Sequence, residues 1–367
     1  MKHPFQKRRR KLQRTVKREG GSAMLVTNIK NVNYLTGFTG SAGYLFVTPN
    51  SEILLSDSRY TSQLKTQCPD LEVDIRDSNS TILDSVQRVA KKSKFKSILF
   101  ESDSLTKSAF DELESTIEGI ELVSSSGLVE RLRAIKDKSE IAAIRKSIDV
   151  NQRAFEVIRA QLTSDQTERQ VAHNLEHQMR AFGAKGCAFD PIVGVGPRAA
   201  LPHGFPTETR IGDGPFVLID WGAEVDQYLS DLTRVLVTGK ISLKFRAVYE
   251  TVLKAQQAAI KKIRPGVSAK TVDRAARRVI ENAGYGNYFG HGLGHSFGLE
   301  IHEKPFLSPI HDNVLEPGMV LTVEPGIYLP GSCGVRIEDD ILVTRDGHEI
   351  LSNLPRQIDQ CTVDLGG

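Results

Sequence analysis

Four carboxylates and one histidine in the second half of the chain lie at or beside short apolar runs typical of buried strands. These candidate metal ligands are Asp220, Asp231, His295, Glu324 and Glu338. An isolated aspartate at a strand end is most often a turn or cap residue, so none of the five predicts a metal site alone. In one buried site, however, the carboxylates would repel one another, and cations or protons would have to neutralise them.

The donor set indicates which cations could bind. Carboxylates and an imidazole in this number are too many for a structural zinc site, which prefers nitrogen and sulfur ligands. Oxygen-rich sites suit Mn²⁺, and Co²⁺, Fe²⁺ or Zn²⁺ are possible substitutes. Because carboxylates can bridge neighbouring ions, the set predicts two divalent metal ions as cofactors.

Strand geometry could bring these ligands together. The segment between Asp220 and Asp231 has room for a strand end, a turn and a returning strand, which would place the two carboxylates side by side. Apolar and charged residues alternate around Glu338, which predicts one strand over 335–343 with Arg336 on the same face as Glu338. A surface strand that carries charges is the common alternative for such a pattern.

His291 and His295 are four residues apart, as in a helical zinc-protease pair, but the glycines that alternate with other residues in 290–295 disfavour a helix. The run lacks an HExxH motif and the GK[ST] ending of a phosphate-binding loop. Irregular backbone that brings imidazoles close to a ligand is the better interpretation. His203 and His302 are further candidates, although an isolated histidine more often forms a structural hydrogen bond.

Composition restricts the class of protein. With 367 residues, 40% of them hydrophobic, the chain is long enough for two domains. Residues 1–18 contain nine lysines and arginines and no acidic residue, so the remainder is mildly acidic and does not favour a nucleic acid partner. The four cysteines are scattered, as in proteins of the reducing cytoplasm. Apolar runs are too short for a membrane span or a signal peptide, and we expect a cytoplasmic enzyme.

The apolar pattern predicts an α/β chain in three parts. These are a basic, solvated helix or frayed arm at 1–20, a compact α/β domain at 21–127 and a larger domain at 128–367. Strands are predicted at 23–26, 43–47, 53–55, 97–100, 216–220, 232–237, 319–323 and 335–343. Helices are predicted across 141–162, after a capping box at Thr167, and at 242–262 and 269–283.

Several segments resemble the metallopeptidases that include aminopeptidase P and prolidase. They comprise 31–41, 57–60, 200–203, 220–223, 230–234, 291–295, 299–303, 324–328 and 334–339. The similarity covers nearly the whole chain except the first 20 residues. It implies an α/β (α+β) fold, with an N-terminal creatinase-like α/β domain followed by a pita-bread metallopeptidase domain.

The resemblance also implies a role for each candidate ligand. Asp231 and Glu338 would bridge the two ions. Asp220 would complete the coordination of one ion, while His295 and Glu324 would complete that of the other. Glu324 would also shuttle protons.

Further positions match substrate-binding residues of the family. His203, His291 and His302 would line the pocket, with His302 near the scissile carbonyl. Arg336 and Tyr328 would orient the substrate or the residues next to it.

The implied reaction is attack by a metal-activated hydroxide on the carbonyl before proline, followed by protonation of the proline nitrogen. Short proline-containing peptides are the expected substrates. A homodimer is expected, in which the N-terminal domain of the same or the partner chain limits access.

Two departures from the family pattern, at 226–228 and 296–297, bear on the shape of the substrate pocket rather than on the chemistry. A creatinase-type amidinohydrolase or a methionine aminopeptidase is less consistent with the ligand set and the N-terminal domain. A catalytically inactive pita-bread module whose basic arm binds nucleic acid is the alternative from another class. The sequence leaves open whether the enzyme is a dipeptidase or an aminopeptidase acting on longer peptides.

Overall fold

The computed structural model describes residues 4–93, 95–117 and 119–365, and the chain divides into two compact units between Arg133 and Ala134. The boundary lies after the predicted one at 127, because the residues in between belong to the first unit. Val129 is fully buried, and the Tyr34 hydroxyl donates a hydrogen bond to the Leu132 carbonyl at 3.0 Å.

The first unit is built on a six-stranded mixed sheet with the strand order β4-β3-β2-β1-β5-β6. Its strands are β1 (Ala23–Val26), β2 (Tyr44–Val47), β3 (Glu52–Asp57), β4 (Glu72–Arg76), β5 (Ser97–Glu101) and β6 (Glu121–Ser125). Its helices are α1 (Pro4–Arg18), α2 (Ile29–Thr36), α3 (Thr61–Gln67), α4 (Ile82–Ser93), α5 (Lys107–Thr116) and α6 (Glu130–Arg133). The predicted strands at 23–26, 43–47, 53–55 and 97–100 are confirmed.

Residues Pro4–Arg18 form the predicted helix, but the expectation that this segment is solvated or frayed was wrong. Helix α1 buries Leu12 and Val16 completely, and Arg9 is only 1% exposed. The Arg9 guanidinium donates to the Leu35 carbonyl at 3.0 Å and to Asp70 at 2.5 Å. Part of the basic charge is therefore used inside the first unit, where it satisfies backbone and carboxylate oxygens.

The second unit combines four long helices with several antiparallel sheets. Its helices are α7 (Lys138–Ala160), α8 (Glu168–Ala181), α9 (Leu243–Ile260) and α10 (Ala269–Asn282). Its first strands are β7 (Gly186–Cys187), β8 (Ile192–Val195), β9 (Phe216–Trp221), β10 (Ala223–Val225), β11 (Tyr228–Leu229) and β12 (Leu232–Val237). The later strands are β13 (Gly294–Ser296), β14 (Glu303–Leu307), β15 (Val320–Val323), β16 (Gly326–Leu329), β17 (Cys333–Arg336), β18 (Asp339–Val343) and β19 (His348–Ile350).

Local sequence signals explain where the helices begin. Asp137 and Thr167 each form a capping box, at the start of α7 and α8 respectively, so the box predicted at Thr167 is confirmed. Ser242 and Ser268 cap α9 and α10 through their side chains. No helix in the described part of the chain is long and apolar enough to cross a bilayer.

Two sheets position the candidate ligands. One has the strand order β12-β9-β8 and the other the order β14-β13-β15-β18-β19. Strands β9 and β12 pair antiparallel with Thr233 opposite Asp220, which confirms the predicted strand, turn and returning strand. Between them, Asp226 and Gln227 form a turn with φ values of 50° and 71°.

The predicted single strand over 335–343 was wrong. Strand β17 ends at Arg336, and β18 begins at Asp339 in a different sheet. Arg336 pairs with Gly326, whereas Asp339 pairs with Val323. The chain turns between the two strands, and the backbone N–H of Glu338 donates to the Thr233 carbonyl at 3.2 Å. This turn brings Glu338 beside the β9–β12 hairpin.

Candidate metal centre

Three of the predicted ligands converge in the second unit. One carboxylate oxygen from each of Asp220, Asp231 and Glu338 lies within 4.8 Å of the other two. All three side chains are buried, and Glu338 is only 1% exposed. Their proximity in a solvent-poor site makes mutual repulsion strong unless positive charge compensates it.

The two remaining predicted ligands adjoin this cluster. His295 Nε2 lies 3.7 Å from Asp231 Oδ2 and 3.4 Å from Glu324 Oε1. The five side chains line one cavity of about 610 Å³. The structure therefore brings together residues that are separated by more than a hundred positions in the chain.

Strand ends hold the ligands in place. Asp231 directly precedes β12, and Glu324 directly follows β15. The Glu324 backbone N–H donates to the Leu293 carbonyl at 2.9 Å, and the His295 N–H donates to Thr322 Oγ1 at 3.0 Å. Backbone hydrogen bonds at these positions fix the direction in which each side chain leaves its strand.

Burial and neighbouring charge disfavour the ionised carboxylates. Burial raises the pKa of Asp231 well above its usual range, and the charges of Glu338 and Asp220 raise it further. Burial likewise raises the pKa of Glu338 well above its usual range, with Glu324 and Asp220 adding to the effect. The pKa of Glu324 is raised to about 8, mainly by burial. Such a site either takes up protons or binds cations.

Two buried oxygens in the cluster show that a cation would fit. Asp220 Oδ1 and Glu338 Oε1 have no hydrogen-bond partner among the described residues. A buried polar atom without a partner is costly, so such atoms usually meet a bound ion or water. Because the donors are mainly carboxylate oxygens with one imidazole, they suit divalent cations such as Mn²⁺.

A hydrogen-bonded chain leads from the cluster to a second imidazole. Arg336 forms an ion pair with Asp220 and donates to the Tyr328 hydroxyl at 2.7 Å. His291 Nε2 lies 3.0 Å from the same hydroxyl. Arg336, Tyr328 and His291 thus form a connected group on the cavity wall. His203 and His302 also line the cavity, and the His302 ring lies 4.5 Å from that of His295.

The imidazoles of His295 and His291 are electrically neutral near pH 7. Burial lowers the pKa of His295 to about 3, and the neighbouring His302 lowers it further. Burial also lowers the pKa of His291 to about 4, with Arg336 as the second cause. A neutral imidazole can donate a lone pair, so His295 is available as a metal ligand.

Two family models match the chain. Metallopeptidase family M24 matches residues 142–345, and the Creatinase/Prolidase N-terminal domain matches residues 8–135. The first match covers more than half of the chain and includes all five candidate ligands.

The chain belongs to metallopeptidase family M24. A curated relative, the Xaa-Pro dipeptidase of Pyrococcus horikoshii, is 37% identical over 92% of this chain and 94% of its own. The solved Xaa-Pro dipeptidase from Bacillus anthracis superimposes with a TM-score of 0.93 at 38% identity, covering 96% of this chain and 99% of that one. For the X-Pro aminopeptidase from Thermotoga maritima the TM-score is 0.86 at 38% identity, with coverages of 94% and 99%.

These matches confirm the predicted fold for this M24 peptidase. An N-terminal creatinase-like α/β domain precedes a pita-bread metallopeptidase domain. The buried acidic cluster lies within the M24 match, as expected for a metallopeptidase that binds divalent ions.

Sequence reasoning missed several residues of the site. Thr233 donates to Glu338 Oε2 at 2.7 Å and accepts from Arg336 Nε at 3.1 Å, so its hydroxyl connects a ligand with the guanidinium. Its place two residues after Asp231 in a predicted hairpin was a usable signal. Phe205 and Ile310 also line the cavity although they are 76% and 82% exposed. No pattern marked these two isolated apolar residues.

Proposed function

We propose that this M24 peptidase hydrolyses the bond between an N-terminal residue and a following proline with the help of two divalent metal ions. The observation that carries the proposal is the buried cluster of Asp220, Asp231 and Glu338, which adjoins His295 and Glu324 inside one cavity. Relatives named as Xaa-Pro dipeptidases or X-Pro aminopeptidases support the choice of substrate bond.

The five acidic and imidazole side chains would hold the ions. Following the family resemblance, Asp231 and Glu338 would be the shared ligands, and Asp231 does lie near both groups, within 4.8 Å of Asp220 and 3.7 Å from His295. Asp220 would supply a further ligand to one ion, and His295 and Glu324 would supply further ligands to the other. Mn²⁺ is our choice of metal on the grounds of the oxygen-rich donors. When bound, the two ions lower the pKa of a water molecule toward ~7 and polarise the carbonyl of the scissile bond.

Proton transfer falls to Glu324. Its carboxylate accepts the proton of the attacking water and delivers it to the proline nitrogen as the carbon–nitrogen bond breaks. Its position at the end of β15, in contact with His295, places it beside the other ligands. His302 donates a hydrogen bond to the oxygen on which negative charge develops.

The Arg336 group orients the reactants. Arg336 partly compensates the Asp220 charge and fixes the Tyr328 hydroxyl, which in turn holds His291. His203 and His291 bind the peptide on the cavity wall. Because burial lowers the pKa of His291 to about 4, its ring is uncharged near pH 7 and adds no positive charge to this wall.

The shape of an Xaa-Pro bond explains the need for apolar walls. Its nitrogen carries no hydrogen, so a site that recognises an amide N–H cannot bind it. Phe189, Ile301 and Phe306 line the cavity and offer apolar surface for a pyrrolidine ring. Proline would therefore be recognised through burial of its ring rather than through a backbone hydrogen bond.

A substrate comparison tests the proposal. Metal-free protein is loaded with Mn²⁺ and supplied with Ala-Pro, Ala-Pro-Ala or Ala-Ala, and release of free alanine is measured. We expect cleavage of at least one of the two proline peptides and no cleavage of Ala-Ala. Hydrolysis of Ala-Pro alone would identify a dipeptidase, and hydrolysis of Ala-Pro-Ala an aminopeptidase. Equal cleavage of Ala-Ala, or activity that survives a chelator, would refute the proposal.

The alternatives are not favoured. A creatinase-type amidinohydrolase needs no metal, whereas all five ligand positions are filled here. An inactive module with a nucleic-acid-binding arm is disfavoured because Arg8 and Arg9 are buried and bonded to carbonyl oxygens of α2.

We further propose that the enzyme is a homodimer and that it works in the cytoplasm, a reducing compartment in which its free cysteines are stable. Light scattering of the purified protein would measure the dimer directly.

A further inference from the structure

The segment 289–293 enters the cavity without regular structure. It belongs to neither a helix nor a strand, yet it carries His291 and leads directly to His295 in β13. Glycines at 290 and 292 leave its backbone intrinsically free, and ordering such residues costs more entropy than ordering others. Contacts from outside the segment must therefore fix the position of His291.

A partly buried ion pair on α10, between Asp273 and Arg277, faces this segment. Asp273 is 1% exposed, and Arg277 lies one helical turn after it. The Arg277 guanidinium donates two hydrogen bonds to the Asp273 carboxylate, from Nε to Oδ2 at 2.9 Å and from Nη2 to Oδ1 at 2.8 Å. Such a two-point pair holds both groups in one plane and fixes where the remaining N–H groups point.

The pair contacts three backbone groups of the segment. Arg277 donates from Nη1 to the Phe289 carbonyl at 3.0 Å and from Nη2 to the His291 carbonyl at 2.9 Å. Asp273 Oδ1 accepts from the Leu293 N–H at 3.2 Å. The guanidinium also lies 4.2 Å from the centre of the Phe289 ring. The two side chains thus fix alternate residues of the segment, on both sides of each glycine.

The same segment is linked to the catalytic group. The Leu293 carbonyl accepts from the N–H of the proposed ligand Glu324 at 2.9 Å, and His291 Nε2 contacts the Tyr328 hydroxyl at 3.0 Å. A shift of the segment would therefore move the imidazole that faces the substrate. His295 is held separately by its own bond to Thr322.

We propose that Asp273 and Arg277 are positioning residues, which hold His291 in its working place without touching the substrate. The inference rests on the proposed role of His291 in binding the peptide. Lysine cannot replace arginine here, because a single ammonium group cannot bind a carboxylate at two points and two carbonyls at once. Asparagine in place of Asp273 would keep the shape but remove the charge that orients the guanidinium.

Arg277→Lys and Asp273→Asn test the pair. In Mn²⁺-loaded protein we expect kcat/KM on an Xaa-Pro peptide to fall by about 10–100-fold, as for other residues that support a site from outside. Metal content should stay at the wild-type level, because the backbone groups that Arg277 and Asp273 bind belong to Phe289, His291 and Leu293, none of which is a proposed ligand. Arg180→Lys is the matched control, since Arg180 also pairs with a carboxylate one turn earlier, Glu176, on an exposed helix face. It should change kcat/KM by less than twofold.

A double-mutant cycle shows whether the pair acts through His291. In a His291→Ala background, Arg277→Lys should lower kcat/KM by less than about twofold, since the positioned group is already gone. An equal loss in both backgrounds would overturn the proposal and leave a purely structural role. An unchanged kcat/KM in Arg277→Lys alone would overturn it as well.

Hydrogen exchange gives a readout that needs no turnover. Amide exchange over 289–293 should become about tenfold faster in Arg277→Lys and stay unchanged in Arg180→Lys. Unchanged exchange in Arg277→Lys would overturn the positioning role. A wild-type protein that cleaves no Xaa-Pro peptide would instead contradict the proposed function, while the exchange experiment still tests the pair.

Discussion

At the residue scale, two of the three carboxylates of the cluster, Glu338 and Asp220, each have one oxygen in a hydrogen bond and the other without a partner among the described residues. Glu338 Oε2 accepts a hydrogen bond from Thr233, while Glu338 Oε1 has no partner among the described residues. Asp220 follows the same pattern, since Arg336 binds its Oδ2 and its Oδ1 has no described partner. A protein hydrogen bond thus orients the side chain, and the free oxygen points to where a cation would bind. Ligands fixed in this way need little reorganisation when an ion arrives.

Replacement of Asp231, one of the two proposed shared ligands, should lower both turnover and metal binding strongly. Asp231→Asn keeps the size of the side chain but removes a charge at the centre of the cluster. We expect turnover to fall by more than the ~10–100-fold seen for residues outside the ligand set, together with a loss of bound metal. Activity and metal content are measured by peptide assay and elemental analysis.

Asp226→Asn is the control for this variant. Asp226 is exposed on the turn between β10 and β11, and asparagine tolerates its positive φ. This change should leave both quantities unchanged. Wild-type rates in Asp231→Asn would show that the carboxylate is not a shared ligand.

At the element scale, the sequence was sufficient to predict individual strands that are marked by an apolar run. The apolar runs before Asp220 and after Asp231 predicted β9 and β12, and their short separation predicted the pairing. The alternation of apolar and charged residues around Glu338 led to the wrong prediction of a single strand. A period of two residues is the same in both strands, so it cannot reveal that the chain leaves one sheet and joins another. The turn at Ile337 and Glu338 depends on pairing with distant strands, which no local pattern contains.

Helix α1 was misjudged for a different reason. Its lysines and arginines suggested a solvated helix, yet Leu12 and Val16 lie four residues apart on one face and are fully buried. An arginine can bury its aliphatic stem while its guanidinium bonds to carbonyls, as Arg8 and Arg9 do with α2. Composition alone could not tell which basic side chains would find such acceptors.

This packing predicts that α1 stabilises the first unit. Leu12→Ala should lower the free energy of unfolding of that unit by ~2–5 kcal/mol, because it leaves a cavity in a fully buried position. The exposed neighbour Lys11 supplies the control Lys11→Ala, which should have almost no effect. Urea unfolding followed by far-UV circular dichroism measures the change. The single tryptophan, Trp221, reports on the second unit through its fluorescence. Identical circular dichroism curves for the two variants would contradict the packing role.

At the scale of the whole molecule, the chemistry lies in the second unit, which contains all five proposed ligands and the cavity. The first unit matches the Creatinase/Prolidase N-terminal domain. Sequence motifs identified the five candidate ligands that line this cavity, because their residue types and order are distinctive. They could not predict the rim formed by Phe205 and Ile310, since exposed apolar residues in loops carry no periodic signal.

Stability of the metal-free protein should depend on pH through the cluster. Burial raises the pKa of Glu324 from an ordinary value of 4.5 to about 8, so the folded state holds a proton that the unfolded chain releases. The contribution of this proton to the free energy of unfolding is complete below pH 4.5 and is lost as pH rises through 8. Buried histidines act in the opposite direction but mainly below their unfolded pKa of about 6.5. Between pH 6.5 and 8.5 the melting temperature of metal-free protein should therefore fall.

Calorimetry of metal-free protein across this pH range measures the effect. Glu324→Gln is the matched variant, because it removes the titrating group and should flatten the dependence. Mn²⁺ should stabilise the wild-type protein more at pH 8.5 than at pH 6.5, since fewer protons must be displaced. A melting temperature that rises with pH in metal-free wild-type protein would contradict the assignment.

The most direct test of the whole account is a metal titration of chelator-treated protein with hydrolysis of a proline peptide followed in the same samples. We predict no turnover without metal, saturation at two divalent ions per chain, and activity that appears as the ions bind. Protein that binds no ion at these carboxylates, or that cleaves the peptide at full rate in excess chelator, would contradict the account.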